Sequence, residues 1–336
     1  MRCYNNRTGG IDLKFAIMIV LFITFAVLLT SYLCFRMAFY VTKKQKLCKE
    51  AYPIPLGEAY DPWRDVMINW MKETRALSHR EYTVTSFDGL TLRGKYYEYT
   101  PGAPIELMMH GYRGSADRDL CGGVQRCFSV GHSALVIDQR GSGSSEGNVI
   151  TFGIRESRDC LKWVDLLIQT FGPDVQIILT GISMGASTVL MAAGQDLPKN
   201  VIGVLADCGF TSAKEIIKTV IRQMKLPADL AYPFVKLGAL LFGGFSPDDD
   251  SALAAVARCK VPVIFYHGEA DDYVPCYMSK ENFDACTSKK QLVTIPGAGH
   301  GLSYPVDPKR YTSTLKAFFS TEEANEKEPV NAHSKA

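Results

Sequence analysis

A serine stands between two glycines in Gly181-Ile182-Ser183-Met184-Gly185, directly after the apolar run VQIILT and directly before ASTVLMAA, a run of small helix formers. A chain that passes from strand to helix within so few residues crowds the positions two before and two after the central one, and only small residues fit there. The strain of such a turn lifts the Ser183 hydroxyl clear of the sheet. It also places the Met184 amide at a helix N-terminus, where it can bind a developing oxyanion. A serine hydroxyl is a weak nucleophile at neutral pH and needs a base. Of the six histidines, His300 is the best placed, because GAGHG follows the apolar run QLVTIP and precedes the final helix. His110 and His267 also end strands, but glycine follows each, and both read as packed, hydrogen-bonded loop residues. His79, His132 and His333 lie away from strand ends. The imidazole in turn needs a carboxylate to fix its tautomer and stabilise its charged form. HGEADDYVP offers Asp271 and Asp272 at adjacent positions, of which only one can point inward. The chain order Ser183, Asp, His300 is the one expected when these groups are built on a parallel sheet. A second oxyanion donor belongs in the loop His110-Gly111-Tyr112-Arg113-Gly114, and Tyr112 is the candidate amide. A plain strand-to-helix turn is the alternative for that loop.

Positioning these loops requires a particular scaffold. Short apolar runs at 105–110, 133–138, 175–180, 201–206, 261–267 and 291–296 alternate with longer helical stretches. Such spacing predicts a parallel sheet covered on both faces, with functional loops at the carboxyl ends of its strands. Before them, TVTSFDGLTLRGKYYEY changes to a period of two around Asp88-Gly89, which predicts an antiparallel hairpin opening the domain. The expected class is α/β, with a mostly parallel central sheet, helices on both faces and a small helical cap insertion.

Together these stretches resemble the α/β-hydrolase superfamily, in particular serine hydrolases related to the serine aminopeptidases and to membrane-anchored bacterial and ABHD-type hydrolases. The resemblance covers Tyr82 to Phe319 and rests on SFDGLTLRG, HGYRG, DQRGSGSSEG, GISMG, HGEADDYVP and GAGHG. It implies that Asp271, rather than Asp272, is the acid, and it supports Tyr112 as an oxyanion donor. Members of that superfamily cut esters, thioesters, amides and peptides with similar machinery, so substrate is not implied. An esterase reading follows, with a peptidase, an amidase or a deacylase of lipidated proteins as alternatives, and a non-catalytic binding module as a third.

Ahead of the domain, Phe15 to Phe35 carries no charge over 21 residues, about 31 Å as a helix, which matches a bilayer's hydrocarbon core. It is too long for the apolar region of a cleavable signal. The expected layout is an N-terminal segment 1–14, a transmembrane anchor 15–40, a linker 41–60, a hydrolase domain 61–320 and a disordered tail 321–336. Basic residues lie on both sides of the span, more of them after it, which leans toward a cytoplasmic domain. Asp61-Pro62 reads as a helix start, with Trp63, Val66, Trp70 and Met71 on one face of that helix. The insertion 211–257 carries an apolar excess at helical spacing. It reads either as a helix pair packed on the sheet or as a lid that holds an acyl chain and faces the bilayer.

Composition narrows the partners. The chain has 336 residues, a net charge of +2, and ten cysteines with no CxxC spacing, so neither a nucleic-acid partner nor a metal knuckle is expected. The cysteines read as packing. GSGSSEG lacks the Lys-Ser/Thr of a phosphate loop, and no HExxH occurs, so no metal or cofactor is implied. The expected partners are a small or lipid-like acyl substrate and the membrane, for a monomeric chain.

Overall fold

The structure, a computed structural model, describes residues 13–42, 45, 50–55 and 57–326, with side chains through Ser320. Strands β1 (Arg80–Thr85), β2 (Thr91–Tyr97), β3 (Ile105–Met109), β4 (Ser133–Asp138), β5 (Ile177–Ile182), β6 (Val201–Asp207), β7 (Val263–Gly268) and β8 (Lys290–Ile295) form one sheet in the order β1-β2-β4-β3-β5-β6-β7-β8. The hairpin strand β2 runs antiparallel to β1 and β4, and every later pairing is parallel. Its turn is closed by the Ser86 hydroxyl, which accepts from the Leu90 amide at 2.7 Å, with Gly89 at a positive φ of 91°. All five residues of β3 are buried, as a central parallel strand covered on both faces requires. Two strands, β5 and β7, begin two residues further along than the apolar runs suggest. β5 continues through Gly181-Ile182, so Ser183 follows the strand with no intervening loop residue.

The helices are α1 (Leu13–Ala38), α2 (Arg64–Ala76), α3 (Ala116–Asp119), α4 (Gly123–Val130), α5 (Ile154–Phe171), α6 (Met184–Ala193), α7 (Ala213–Gln223), α8 (Ala228–Gly238), α9 (Ala252–Val256), α10 (Tyr277–Ala285), α11 (Ser303–Val306) and α12 (Pro308–Glu326). The period of two in the strands decides which helices each side chain meets. Ile177 and Leu179 pack with Trp163 and Leu167 of α5 and Val189 and Leu190 of α6. Ile178, between them, packs with Met67 and Met71 of α2 and Leu315 and Phe319 of α12. The start of α2 differs from expectation. Asp61 and Pro62 lie in a 3-10 turn, Glu58–Trp63, whose backbone suits proline's fixed φ, and the helix begins at Arg64. Met67 rather than Val66 shares the buried face with Met71. At the other end, α12 continues through Glu326 because Glu322, Glu323 and Ala324 are good helix formers. The remainder of the expected tail, 327–336, lies outside the described residues.

A buried ion pair ties the sheet to α4. Glu106 of β3 accepts from Arg126 Nη1 and Nη2 at 3.0 and 2.5 Å, from the Thr180 hydroxyl at 2.7 Å, and meets His132 Nδ1 at 2.9 Å. Burial raises its carboxyl pKa, but the charge of Arg126 outweighs this and holds the group ionised.

The insertion is helical, as the spacing predicts, but its halves do different things. In α7, Ile216, Ile217 and Ile221 are buried in a cluster with Phe210 and Met184. α8 buries Ala228, Tyr232 and Val235 on one face. Its C-terminal end and the π-turn after it, Ala239–Gly243, pack on α1. A side chain at Gly238 would strike the Ser31 carbonyl oxygen at 2.2 Å, and Phe242 meets the rings of Tyr32 and Phe35 at 5.2 and 6.0 Å. The insertion is therefore not a helix pair lying wholly on the sheet, since the end of α8 and the turn after it pack on α1. The packed unit also starts earlier than position 61. Phe39 is fully buried against Phe152 and Phe245, and Tyr40 pairs with Val149.

Arg126→Leu is expected to lower unfolding stability by about 3–5 kcal/mol, because it removes the cation that keeps Glu106 ionised and leaves the buried carboxyl only Thr180 and His132 as partners. Urea titration of the full chain in detergent measures it, and a loss below about 1 kcal/mol would show the pair to be dispensable.

Candidate active site

Three backbones meet at Ser183. The residue adopts φ 56° and ψ −119° between the end of β5 and the first residue of α6, a sparsely populated conformation for a non-glycine residue. A Cβ at Gly181 would lie 2.1 Å from the Gly185 carbonyl oxygen, and one at Gly185 would lie 2.1 Å from that of Met109. Glycine is therefore demanded at both places by contact with backbone, which cannot swing aside. The Ser183 amide donates to the Asp207 carbonyl at 2.8 Å, so the end of β6 holds the turn as well.

His300 arrives on the loop after β8. Its Nε2 is 2.8 Å from Ser183 Oγ, and its Nδ1 is 2.7 Å from Asp271 Oδ2. The Tyr60 hydroxyl donates to the His300 carbonyl at 2.8 Å and fixes the loop from outside. Asp271 is buried on the loop after β7, and its Oδ1 accepts from the Tyr273 and Val274 amides at 3.0 and 2.8 Å. Asp272 faces solvent, and its carbonyl accepts from Gln223 of α7 at 2.7 Å. Burial pushes the Asp271 carboxyl up, yet hydrogen bonds from His267 and His300 and their charges more than offset it and bring it to about 2. An ionised Asp271 only accepts, so His300 donates from Nδ1, and in the neutral imidazole that leaves Nε2 to accept from the serine.

Met184 is the first residue of α6, so its N–H has no partner within that helix. The loop carrying Tyr112 reaches the serine closely, since a Cβ on Gly111 would lie 3.4 Å from Ser183 Cβ. Asp119 Oδ2 accepts from the Gly111 amide at 2.9 Å and fills the space where Gly114 would carry a side chain. The Tyr112 ring stacks on Phe152 at 5.0 Å. Burial pushes its phenol up to about 12, and the protonated hydroxyl donates to the Ala38 carbonyl at 2.7 Å. Arg113, at a positive φ of 51°, donates to the carbonyls of Met37 at 2.7 Å and Tyr40 at 3.1 Å. The loop carrying Tyr112 is thus fastened to the last turn of α1.

Ser183, His300 and Asp271 come together, with the Tyr112 and Met184 residues beside them. His110 and His267 are both buried and hydrogen-bonded: His110 follows β3 and meets Gly111 and Gln139, whereas His267 lies within β7, not in a loop, and meets Ser279 and Val274. His267 also lies 3.3 Å from Asp271 Oδ2. Sequence reasoning passed over Tyr60, Asp119 and the buried Asp207, which accepts from Ser303 at 2.8 Å. Each carries a polar residue type without a motif around it, so nothing local marks it. Among the described residues, Cys208 Sγ, an Asp271 oxygen and a His300 nitrogen lie within 4.8 Å of one another. That set overlaps the serine-facing pair, and both Asp271 oxygens already accept hydrogen bonds, so it is weaker as a ligand cluster than as part of the same site.

Residues 107–254 match the family model described as alpha/beta hydrolase fold. The chain is 29% identical over 192 residues to an uncharacterized Bacillus subtilis protein, YqkD, and the match covers 57% of this chain and 63% of that one. It is 25% identical to Escherichia coli YfhR, over 84% of this chain and 86% of that one. Among solved structures, the Pyrococcus furiosus esterase Pf2001 aligns with TM-score 0.62 at 21% identity, over 80% of this chain and 96% of that chain. The Pyrococcus horikoshii acylaminoacyl peptidase aligns with TM-score 0.52 at 17% identity, over 78% and 44% respectively. The chain has the α/β-hydrolase fold.

Gly185→Ala is expected to cost at least about 3 kcal/mol of stability, since its methyl group must displace main chain. A thermal or urea midpoint within error of wild type would contradict that. The depressed Asp271 carboxyl contributes about 2 kcal/mol above pH 4 that is lost as pH falls through about 2. The stability gap between wild type and Asp271→Asn, measured by denaturation at pH 5 and pH 2, should therefore narrow. A gap unchanged over that window would contradict the charge assignment.

Proposed function

We propose that this chain is a membrane-anchored serine hydrolase that cleaves a carboxylic ester, either an acyl ester or a thioester, through an acyl-enzyme. The observation that carries the reading is the unbroken chain of contacts from Ser183 Oγ through His300 to Asp271, at 2.8 and 2.7 Å. In the first half-reaction Ser183 Oγ attacks the carbonyl carbon while its proton passes to His300 Nε2. The amides of Met184 and Tyr112 bind the oxyanion. Asp271 holds the Nδ1 proton and stabilises the imidazolium. Collapse of the tetrahedral species breaks the bond to the leaving oxygen or sulfur, which takes the proton from Nε2. Water then attacks the acyl-serine with the same base, and the acid product leaves as Ser183 recovers its proton.

The surroundings favour an apolar acyl group. Met184, Phe152, Phe210 and Val274 form a buried cluster with Tyr112 packed against it, beside the nucleophile. α1 supplies the anchor: 26 residues of high hydropathy, none of the apolar window buried in the protein. The peptidase among the fold neighbours keeps amide cleavage as the second reading, because acyl transfer to serine serves both.

Ser183→Ala is expected to lower turnover by about a millionfold, the scale seen when a serine nucleophile of this kind is removed. Near-normal esterase activity in that variant would refute the assignment. Across para-nitrophenyl esters, activity is expected to rise from acetate to medium acyl chains. A steady fall with chain length would remove the acyl-chain reading, and faster cleavage of peptide amides than of esters would favour the second one.

A further inference from the structure

The last turns of α1 do not lead into a free linker. They are clamped to the domain at Tyr112 and Arg113, at the Tyr40–Val149 bridge, and at the close approach of Gly238 to Ser31. A helix fixed in this way sets the orientation of the whole domain to whatever the helix crosses. Resting on the reading of α1 as a membrane span, depth follows from arithmetic. Ser31 precedes the end of the uncharged run at Phe35 by four residues, which is about 6 Å along a helix. Whatever packs on Ser31 lies below the hydrocarbon boundary too.

Gly238 at the end of α8 packs there, and the π-turn that follows packs on Tyr32 and Phe35, between Ser31 and that boundary. Leu240, Leu241 and Phe242 are consecutive and 42–54% exposed, an arrangement water disfavours. A second exposed pair, Met224 and Leu226, is 53% and 50% exposed at the end of α7, where Gln223 bonds to the acid loop beside His300. Arg222 and Lys225, both exposed, border that pair. Apolar side chains ringed by cations are the pattern of a surface that sits at a lipid interface.

We propose that the outer face of the cap, Leu240–Phe242 with Met224 and Leu226, is seated in the same membrane leaflet from which α1 emerges. The cap is then a fixed wedge in the lipid, and an acyl substrate dissolved in that leaflet reaches the rim at Tyr273 and His300 laterally. This surface continues the face that α1 already presents to lipid, which is why the leaflet is its occupant and not a second protein.

The test uses the full chain reconstituted in vesicles of three parts phosphatidylcholine to one part phosphatidylglycerol, with bromine placed either shallow or deep on the acyl chains. Tryptophan reporters are Leu241→Trp and Phe242→Trp in the wedge, Phe22→Trp in mid-span, and Tyr99→Trp at the opposite end of the strands, each read against the wild-type signal. Expected is at least twofold stronger quenching by shallow than by deep bromine at 241 and 242, the reverse at 22, and none at 99. Quenching at 22 with none at 241 and 242 would overturn the wedge and leave the anchor standing. No quenching at any reporter would overturn both. None of these readings depends on catalysis, so loss of the hydrolase assignment would register separately, as absent Ser183-dependent turnover. In a second arm, Leu240→Asp with Leu241→Asp is expected to lower hydrolysis of a long-chain ester embedded in vesicles about tenfold while a soluble short-chain ester is cleaved as before. An equal effect on both esters would contradict entry from the leaflet.

Discussion

The site depends on a contact distance that only hydrogen can occupy. β3, β5 and the start of α6 come so close at Gly181 and Gly185 that any Cβ would sit about 2 Å from a carbonyl oxygen. Because main chain cannot yield as a side-chain tip can, the turn has one geometry, with Ser183 strained at its apex. Strain of that kind persists only when its surroundings fix it more than once. Here β6 bonds the serine amide, and α6 begins on the next residue. The hydroxyl is thereby presented at one place before any base approaches it.

The remaining parts are loops brought to that place by the sheet. Parallel strands deliver their carboxyl ends to one edge, so the loops after β3, β5, β7 and β8 converge although they lie far apart in sequence. Three of them are fastened from outside the Ser183–His300–Asp271 set: the Tyr112 loop by Asp119, the His300 loop by Tyr60, and Asp271 by the Tyr273 and Val274 amides. The loop after β3 has a further attachment through Tyr112 and Arg113 to the end of α1. In consequence the apolar helix at the N-terminus is a wall of the domain as well as a segment long enough to cross a bilayer.

Much of this was legible in the residues. The glycines around Ser183 announced close approach, the apolar runs announced a covered sheet, and the choice of Asp271 over its neighbour came from resemblance. The places where the sequence misled share a cause, which is that tertiary partners decide them. Pro62 looked like a helix start until a 3-10 turn claimed it. The excess of leucine in the insertion could not say whether sheet, acyl chain or α1 lay opposite, and Gly238 against Ser31 settled part of that. Tyr60 and Asp119 carry no local signature, because their partners are 240 and 8 residues away and are backbone groups that any sequence possesses.

The central claim is that Ser183 is a nucleophile activated by His300. The most direct measurement is intact-mass and peptide mapping after brief exposure of the full chain to a fluorophosphonate. The account predicts one adduct, on the peptide holding Ser183, formed at least a hundredfold more slowly in His300→Ala. Labelling elsewhere, or at an unchanged rate without the imidazole, would contradict it.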